Sequence, residues 1–204
     1  MIRSRLPVYF VTPDGASPEL VLAAVRGGAT MVQLRDKKAG DDALIELVRA
    51  LKPELARRGV PLIVNDRLEV VLASGADGLH VGQSDGSPLA LRRALGPGRL
   101  LGLSVEAMAH LGAIPAGVVD YLGVGPVRAT ATKPDHAAPL GFGGLARIAA
   151  ASALPCVAIG GVGAGDARAL KAAGAAGMAV VSAISAASDP EAAARALAGA
   201  WRNA

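Results

Sequence analysis

Residues 120–135 read DYLGVGPVRATATKPD. Tyr121 to Val124 form a short apolar run closed by Gly125-Pro126, and the polar segment beyond carries Thr130, Thr132 and Lys133 within four residues. A Gly-Pro exit from a β-run is a turn signal, because proline fixes φ and glycine accepts backbone conformations closed to other residues. Two hydroxyls and an ammonium so close together suit several anionic oxygens. The stretch predicts a strand that delivers a phosphate-binding loop.

The rest of the chain repeats that unit. Apolar, β-branched-rich runs stand at 8–12, 30–35, 61–64, 78–81, 100–103, 121–124, 155–159 and 178–181, and each is followed at once by Pro, Asp, Asn, Gly or Ser. Helical segments are expected between them. Ser17 can cap a helix with Pro18 at its first position, running to Arg26 before Gly27-Gly28. From Asp41, the residues Leu44, Leu47, Val48, Leu51 and Leu55 mark one helical face, which Pro53 is expected to kink or break. Further helices are predicted at 68–73, 88–95, 106–111, 144–151 and 166–173, with Asp189-Pro190-Glu191 capping a last one that reaches Trp201. Strands that are apolar throughout, rather than alternating, are what a parallel sheet covered on both faces requires. Eight strand–helix units with polar residues at every strand exit predict a single (β/α)8 barrel of the TIM type over residues 1–204. A doubly wound open sheet, the alternative, would gather its polar groups at one switch point.

Composition bounds the rest. Of 204 residues, 52% are hydrophobic and 19% charged, and the 26 Gly and 13 Pro are spread along the chain, which argues against disorder. The net charge of +4 permits anionic ligands, but there is no long basic run and aromatics are 2%, so nucleic acid is not an expected partner. Cys156 is the one cysteine, which rules out a disulfide framework or a thiolate metal site and points to a reducing compartment. No apolar stretch reaches signal-peptide or membrane-spanning length. The expectation is a soluble cytoplasmic protein with no membrane partner; a homo-oligomer is consistent with the sequence, which fixes no oligomeric state.

In a barrel the strand exits converge on one mouth. They bring Gln33, Arg35 and Lys37 from the second strand, Asn65 and Asp66 from the third, Asp85 from the fourth and Ser104 from the fifth. The sixth adds Thr130, Thr132 and Lys133, the seventh Gly160-Gly161 and the eighth Ser182. Arg35 offers a planar fork for phosphate, while Lys37 and Lys133 are point charges on flexible stems. Asp66 and Asp85 end adjacent strands, and two carboxylates are what Mg²⁺ takes when water and substrate phosphate complete its octahedron. Each also has a local reading, Asp66 as a helix cap and Asp85 as a turn residue. Strands seven and eight are where many barrels hold a phosphate through backbone N–H groups. His80 lies inside an apolar run and reads as a hydrogen-bonded core or supporting residue, and His110 and His136 have no zinc-like spacing. No Ser/His/Asp order or activated thiol emerges, so the site fits transfer or elimination of a phosphorylated group better than acyl transfer.

Seven blocks in order, VQLRDK (32–37), IVNDR (63–67), GADGLHVGQSD (75–85), GLS (102–104), GVGPVRATATK (123–133), AIGG (158–161) and AVVSAI (179–184), resemble the thiamine phosphate synthase family. The resemblance implies a (β/α)8 transferase that joins hydroxymethylpyrimidine diphosphate to thiazole phosphate, giving thiamine phosphate and pyrophosphate. It implies that Gln33, Leu34, Arg35, Asp36, Lys37, Asn65, Ser104 and Lys133 hold the pyrimidine diphosphate. Arg35, Lys37, Ser104 and Lys133 would act in catalysis, and Asp66 and Asp85 would bind Mg²⁺. Thr130, Ala131, Thr132, Gly161, Val181 and Ser182 would hold the thiazole phosphate. The family reaction is dissociative: pyrophosphate leaves first and the thiazole nitrogen captures a pyrimidine-methyl cation. Arg128-Ala129 stand where the family usually has an aromatic and a proline, and Asp36 where glutamate is frequent. Tyr9 reads equally as a pyrimidine neighbour or a barrel-core tyrosine, and the long connection at 126–143 is expected to be a lid. Two rivals remain: a thiazole tautomerase-like relative, for which paired metal aspartates are not expected, and a non-catalytic phosphate-metabolite sensor.

Overall fold

The eight apolar runs form eight parallel strands, β1 (Val8–Val11), β2 (Met31–Leu34), β3 (Leu62–Asn65), β4 (Gly78–Val81), β5 (Leu100–Val105), β6 (Tyr121–Val124), β7 (Cys156–Ile159) and β8 (Gly177–Val180). They pair in sequence order, and β1 pairs with β8, so the sheet closes into a (β/α)8 barrel. The computed structural model describes residues 2–130 and 137–204. Successive side chains on a strand point to opposite faces. Tyr9, Val11, Met31, Ile63, Tyr121, Val157 and Ala179 therefore pack inside the barrel, while Val8, Phe10, Val32, Leu34, Leu62, Val64 and Leu79 pack outward under the helices. Both faces are dry, which is why the runs are apolar throughout.

The outer layer comprises α1 (Pro18–Gly27), α2 (Asp41–Arg57), α3 (Leu68–Ser74), α4 (Pro88–Leu95), α5 (Gly141–Ala151), α6 (Ala167–Ala172), α7 (Ser182–Ser185) and α8 (Pro190–Asn203). Ser17 accepts from the Leu20 N–H and Asp189 from the Ala192 N–H, so both expected caps form. Of the kink or break expected at Pro53, the break does not occur: α2 runs continuously through that residue. Burial of Leu44, Val48, Leu51 and Leu55, at roughly 2 kcal/mol each, outweighs the roughly 3 kcal/mol penalty of an internal proline. The helix expected at 106–111 is instead a 3-10 segment, Met108–Ala113, with no buried residue and no side-chain cap. Without an apolar face to bury, so short a stretch gains too little to complete an α-helix. The fifth helix starts at Gly141 rather than 144, and the four-residue α7 is an element the periodicity did not reveal. Where α1 crosses α8, a Cβ on Gly27 would lie 2.3 Å from the Glu191 carbonyl oxygen, so the close crossing needs glycine.

Two clamps close the end of the barrel opposite the strand exits. Asp77, just before β4, accepts from the Leu62 N–H at 2.8 Å and pairs with Lys52. Asp120, just before β6, accepts from the Leu101 N–H at 2.7 Å and from Arg92 Nη2 at 2.5 Å. Arg92 also donates to the carbonyls of Gly96, Arg99 and Val118. Asp120→Ala leaves the Leu101 N–H and the Arg92 Nη2 without this acceptor, and the expected loss is about 1–3 kcal/mol of stability, read as a lower Tm with unchanged kcat.

Candidate active site

At the strand exits the barrel opens into a cavity of about 460 Å³. Its wall includes Gln33, Arg35, Lys37, Asn65, Asp66, Asp85, Ser104, Thr130, Gly161, Val181 and Ser182, contributed by seven of the eight strands and their exit loops. Leu34 alternates outward into the core beneath the helices. Asp36 folds its carboxylate back onto the loop, accepting from the N–H groups of Gly15, Lys38 and Ala39 at 2.8–2.9 Å, and neither residue lines the cavity. Ala131, Thr132 and Lys133 lie outside the described residues.

One side of the mouth is ionic. Thr12 Oγ1 accepts from the Arg35 N–H at 3.0 Å and donates to the Arg35 carbonyl at 3.3 Å, fixing the backbone that carries Arg35 into the cavity. Asp66 has φ 60°, the one positive φ outside glycine among the described residues, and such conformations cost about 1–3 kcal/mol and concentrate at functional sites. Burial, followed by the hydrogen bond and charge of Asp85, pushes the Asp66 carboxyl up to about 6, with Asn65 and the Arg35 charge acting the other way. Asp85 also does the turn work expected of it, accepting from the Gly82 N–H at 2.6 Å. Among the described residues no group of three or more His, Cys, Asp and Glu converges. The donor set here is a pair of crowded carboxylates, hard oxygens whose repulsion a divalent cation relieves, and it fits Mg²⁺ with its remaining positions on water and phosphate.

The floor is a buried polar line. Gln33 Nε2 donates to Tyr9 Oη at 2.7 Å, and the Tyr9 and Tyr121 hydroxyls are 2.8 Å apart. His80 Nδ1 lies 3.2 Å from Tyr121 Oη, and His80 Nε2 lies 3.1 Å from Ser104 Oγ. Burial pushes the His80 ring down to about 4, opposed only by the Asp85 charge, and raises both tyrosine hydroxyls. Ser104 and His80 thus meet at the distance of a nucleophile and its base, yet the third partner is a tyrosine rather than a carboxylate and the imidazole is a weak base. Cys156 is buried and its thiol is raised by desolvation, so it is not an activated nucleophile either.

The opposite side is built from backbone. Gly160 and Gly161 have φ of 95° and 62°, and a Cβ on Gly160 would lie 2.5 Å from Pro126 Cβ. Glycine therefore lets β7's exit pass beneath the β6 exit, where Val127 N–H donates to the Ile159 carbonyl and Arg128 N–H to that of Gly160. Arg128, at the position where an aromatic was expected, stacks 5.0 Å from the Phe142 ring centre and forms two bonds of 2.7–2.8 Å to Asp166. It also donates to the Gly161 carbonyl at 3.0 Å, tying the stem of the 126–140 connection to the glycine turn. The first N–H groups of α7, which follows Val181, have no acceptor within that helix.

Several lining residues escaped the sequence reading. Gln83 donates to the Ser104 carbonyl at 2.5 Å, and Glu106 brings a carboxylate into the wall. Both sit one or two residues past a strand exit that was read, and that position was the available signal. Tyr121, which lies in the buried floor rather than in the cavity wall, gave none, because its partners Tyr9 and His80 come from other strands.

The family model described as thiamine monophosphate synthase matches residues 8–184. The chain is 54% identical over 201 residues to a thiamine-phosphate synthase of Xanthobacter autotrophicus, covering 94% of this chain and 93% of that one. It is 50% identical over 187 residues to a thiamine-phosphate synthase of Azorhizobium caulinodans, covering 92% and 88%. A solved thiamine phosphate pyrophosphorylase from Pyrococcus furiosus superposes with a TM-score of 0.90 at 30% identity, covering 100% of this chain and 98% of that one. A 3-hexulose-6-phosphate synthase structure, at 20% identity and a TM-score of 0.67, shares the fold.

Proposed function

We infer the chemistry of this mouth from the premise that the chain belongs to the thiamine monophosphate synthase family and works as its transferase, making thiamine phosphate. The pyrimidine diphosphate lies against Gln33, Arg35, Lys37, Asn65 and Ser104, with its diphosphate toward Asp66 and Asp85. The thiazole phosphate lies against Thr130, Gly161, Val181 and Ser182, and Lys133 with Thr132 completes the contacts between the two. The observation that carries this reading is that an ionic wall and a glycine-built backbone wall face one cavity in which the Ser104–His80 pair is poorly suited to nucleophilic attack.

Breaking the C–O bond of the pyrimidine diphosphate puts negative charge on pyrophosphate. Arg35 and Lys37 are placed to stabilise that charge more in the transition state than in the ground state. Asp66 and Asp85 would hold Mg²⁺, which when bound would supply Lewis-acid charge toward the leaving group. The buried floor keeps water from the pyrimidine-methyl cation, and the backbone cradle orients the thiazole so that its nitrogen captures that cation. The connection at 126–143, expected to be a lid, falls in part outside the described residues, and its stem is stapled by Arg128 to Asp166 and to the Gly161 carbonyl. A cytoplasmic setting agrees with the buried, unpaired Cys156, and among the described residues no helix is long and apolar enough to cross a membrane.

The paired carboxylates link metal to pH. The folded, metal-free protein holds the Asp66 proton up to about 6, against an ordinary 3.8, so this group's contribution to stability is full below about 4 and is lost as pH rises through 6. Mg²⁺ is therefore expected to raise Tm little at pH 5 and clearly more at pH 8. Asp85→Asn should flatten that difference in a thermal melt.

Incubation of the purified protein with both substrates and Mg²⁺ is expected to give pyrophosphate and thiamine phosphate in equal amounts. Thiazole isomerisation alone, or binding of the phosphates without turnover, would instead support the tautomerase-like or sensor reading.

A further inference from the structure

The polar line beneath the mouth has a direction. An amide nitrogen can only donate, so Tyr9 Oη accepts from Gln33 Nε2, which leaves its own proton for Tyr121 Oη, 2.8 Å away. A Tyr121 hydroxyl that accepts from Tyr9 has its own proton for His80 Nδ1, 3.2 Å away. A neutral imidazole that accepts at Nδ1 carries its proton on Nε2, which donates to Ser104 Oγ. Ser104 has thereby received a hydrogen bond from behind and keeps its own proton for the cavity it lines. The line is built into the barrel: a Cβ on Gly102 would lie 2.3 Å from Tyr121 Cζ and 2.4 Å from His80 Nδ1, and one on Gly123 would lie 3.1 Å from His80 Cε1. Both strands give up a side chain to admit the rings.

We infer that Tyr9, Tyr121 and His80 are positioning residues that transmit the donor direction set by Gln33, hold His80 as the Nε2–H tautomer and aim the Ser104 hydroxyl into the mouth as a donor. This rests on the proposed function in one respect, that the acceptor met by Ser104 is the departing diphosphate. A hydroxyl already oriented toward an oxygen gaining charge needs no reorganisation as the bond breaks.

The test uses ¹⁵N spectra of His80 in the full-length protein without substrates, so its outcome is independent of whether thiamine phosphate is made. The unsubstituted protein is expected to show protonated Nε2 and bare Nδ1. In Gln33→Glu an ionised carboxylate can only accept, which reverses every bond in the line. His80 is then expected to switch to Nδ1–H as that carboxyl, followed by its ¹³C shift, ionises with rising pH. Nδ1–H in the unsubstituted protein, or Nε2–H retained beside an ionised carboxylate, overturns the inference. A second readout needs no spectrum of the Glu variant. Tyr9→Phe is expected to lower kcat about tenfold with both KM values little changed, the effect of one oriented hydrogen bond. In a Ser104→Ala background it should have no further effect, whereas an additive loss would mean that Tyr9 acts by packing alone.

Discussion

Asp85→Ala is expected to lower kcat by about 10²–10³, the range found when one preorganised charge-stabilising contact is removed. Extra Mg²⁺ should recover only part of it. The reason lies in the pairing: burial, and then the hydrogen bond and charge of Asp85, push the Asp66 carboxyl up to about 6, and without Asp85 a single carboxylate would be left to share the cation with water. The loss should fall on turnover rather than on folding, because the one backbone bond Asp85 makes, from the Gly82 N–H, lies in an exposed turn. Steady-state assays across a Mg²⁺ series check this. An unchanged rate at limiting Mg²⁺ would remove Asp85 from the metal site.

Arg35→Ala is expected to lower kcat by a comparable factor, about 10²–10³, with the KM for thiazole phosphate unaffected. Arg35 enters the cavity beside the carboxylate pair, where its charge acts on Asp66, and its backbone is held at both N–H and C=O by Thr12. A guanidinium presented from so fixed a base meets two phosphate oxygens at once. Arg35→Lys should therefore restore only part of the rate, since an ammonium keeps the charge and loses the fork. Full rescue by lysine would mean that charge alone matters there.

The opening stretch at residues 120–135 shows what a sequence of this kind reveals. Its apolar run and Gly-Pro exit located β6 to the residue, because strand periodicity and turn chemistry are local. Its first residue, Asp120, carries no local signal, yet it clamps the far end of the barrel to Arg92, a partner 28 positions away. The polar strand ends were legible for the same local reason, and Arg35, Asn65, Asp66, Asp85 and Ser104 do share one cavity. Within the motif at 32–37, however, adjacent residues diverge: Gln33 faces in, Leu34 faces out and Asp36 ties the loop to Gly15. A resemblance transfers a block, whereas the pleat sorts it residue by residue.

What stayed hidden depended on closure. The Tyr9–Tyr121 bond joins residues 112 apart, and no pattern in either run announces it. Likewise the bidentate pair of Arg128 with Asp166 exists only because β6 and β7 are neighbours, and it turns an apparent departure from the family pattern into an alternative anchor for the same connection.

The central claim is that the C–O bond of the pyrimidine diphosphate breaks before the thiazole nitrogen bonds, with charge stabilised by the mouth and no attack by the protein. Its most direct test is the secondary deuterium isotope effect at the pyrimidine methylene, measured on Asp85→Ala so that the chemical step limits the rate. A clearly normal effect, reporting a methylene that has become cation-like, is the expected result; a value of unity, the mark of a crowded displacement in which attack and departure coincide, would contradict it.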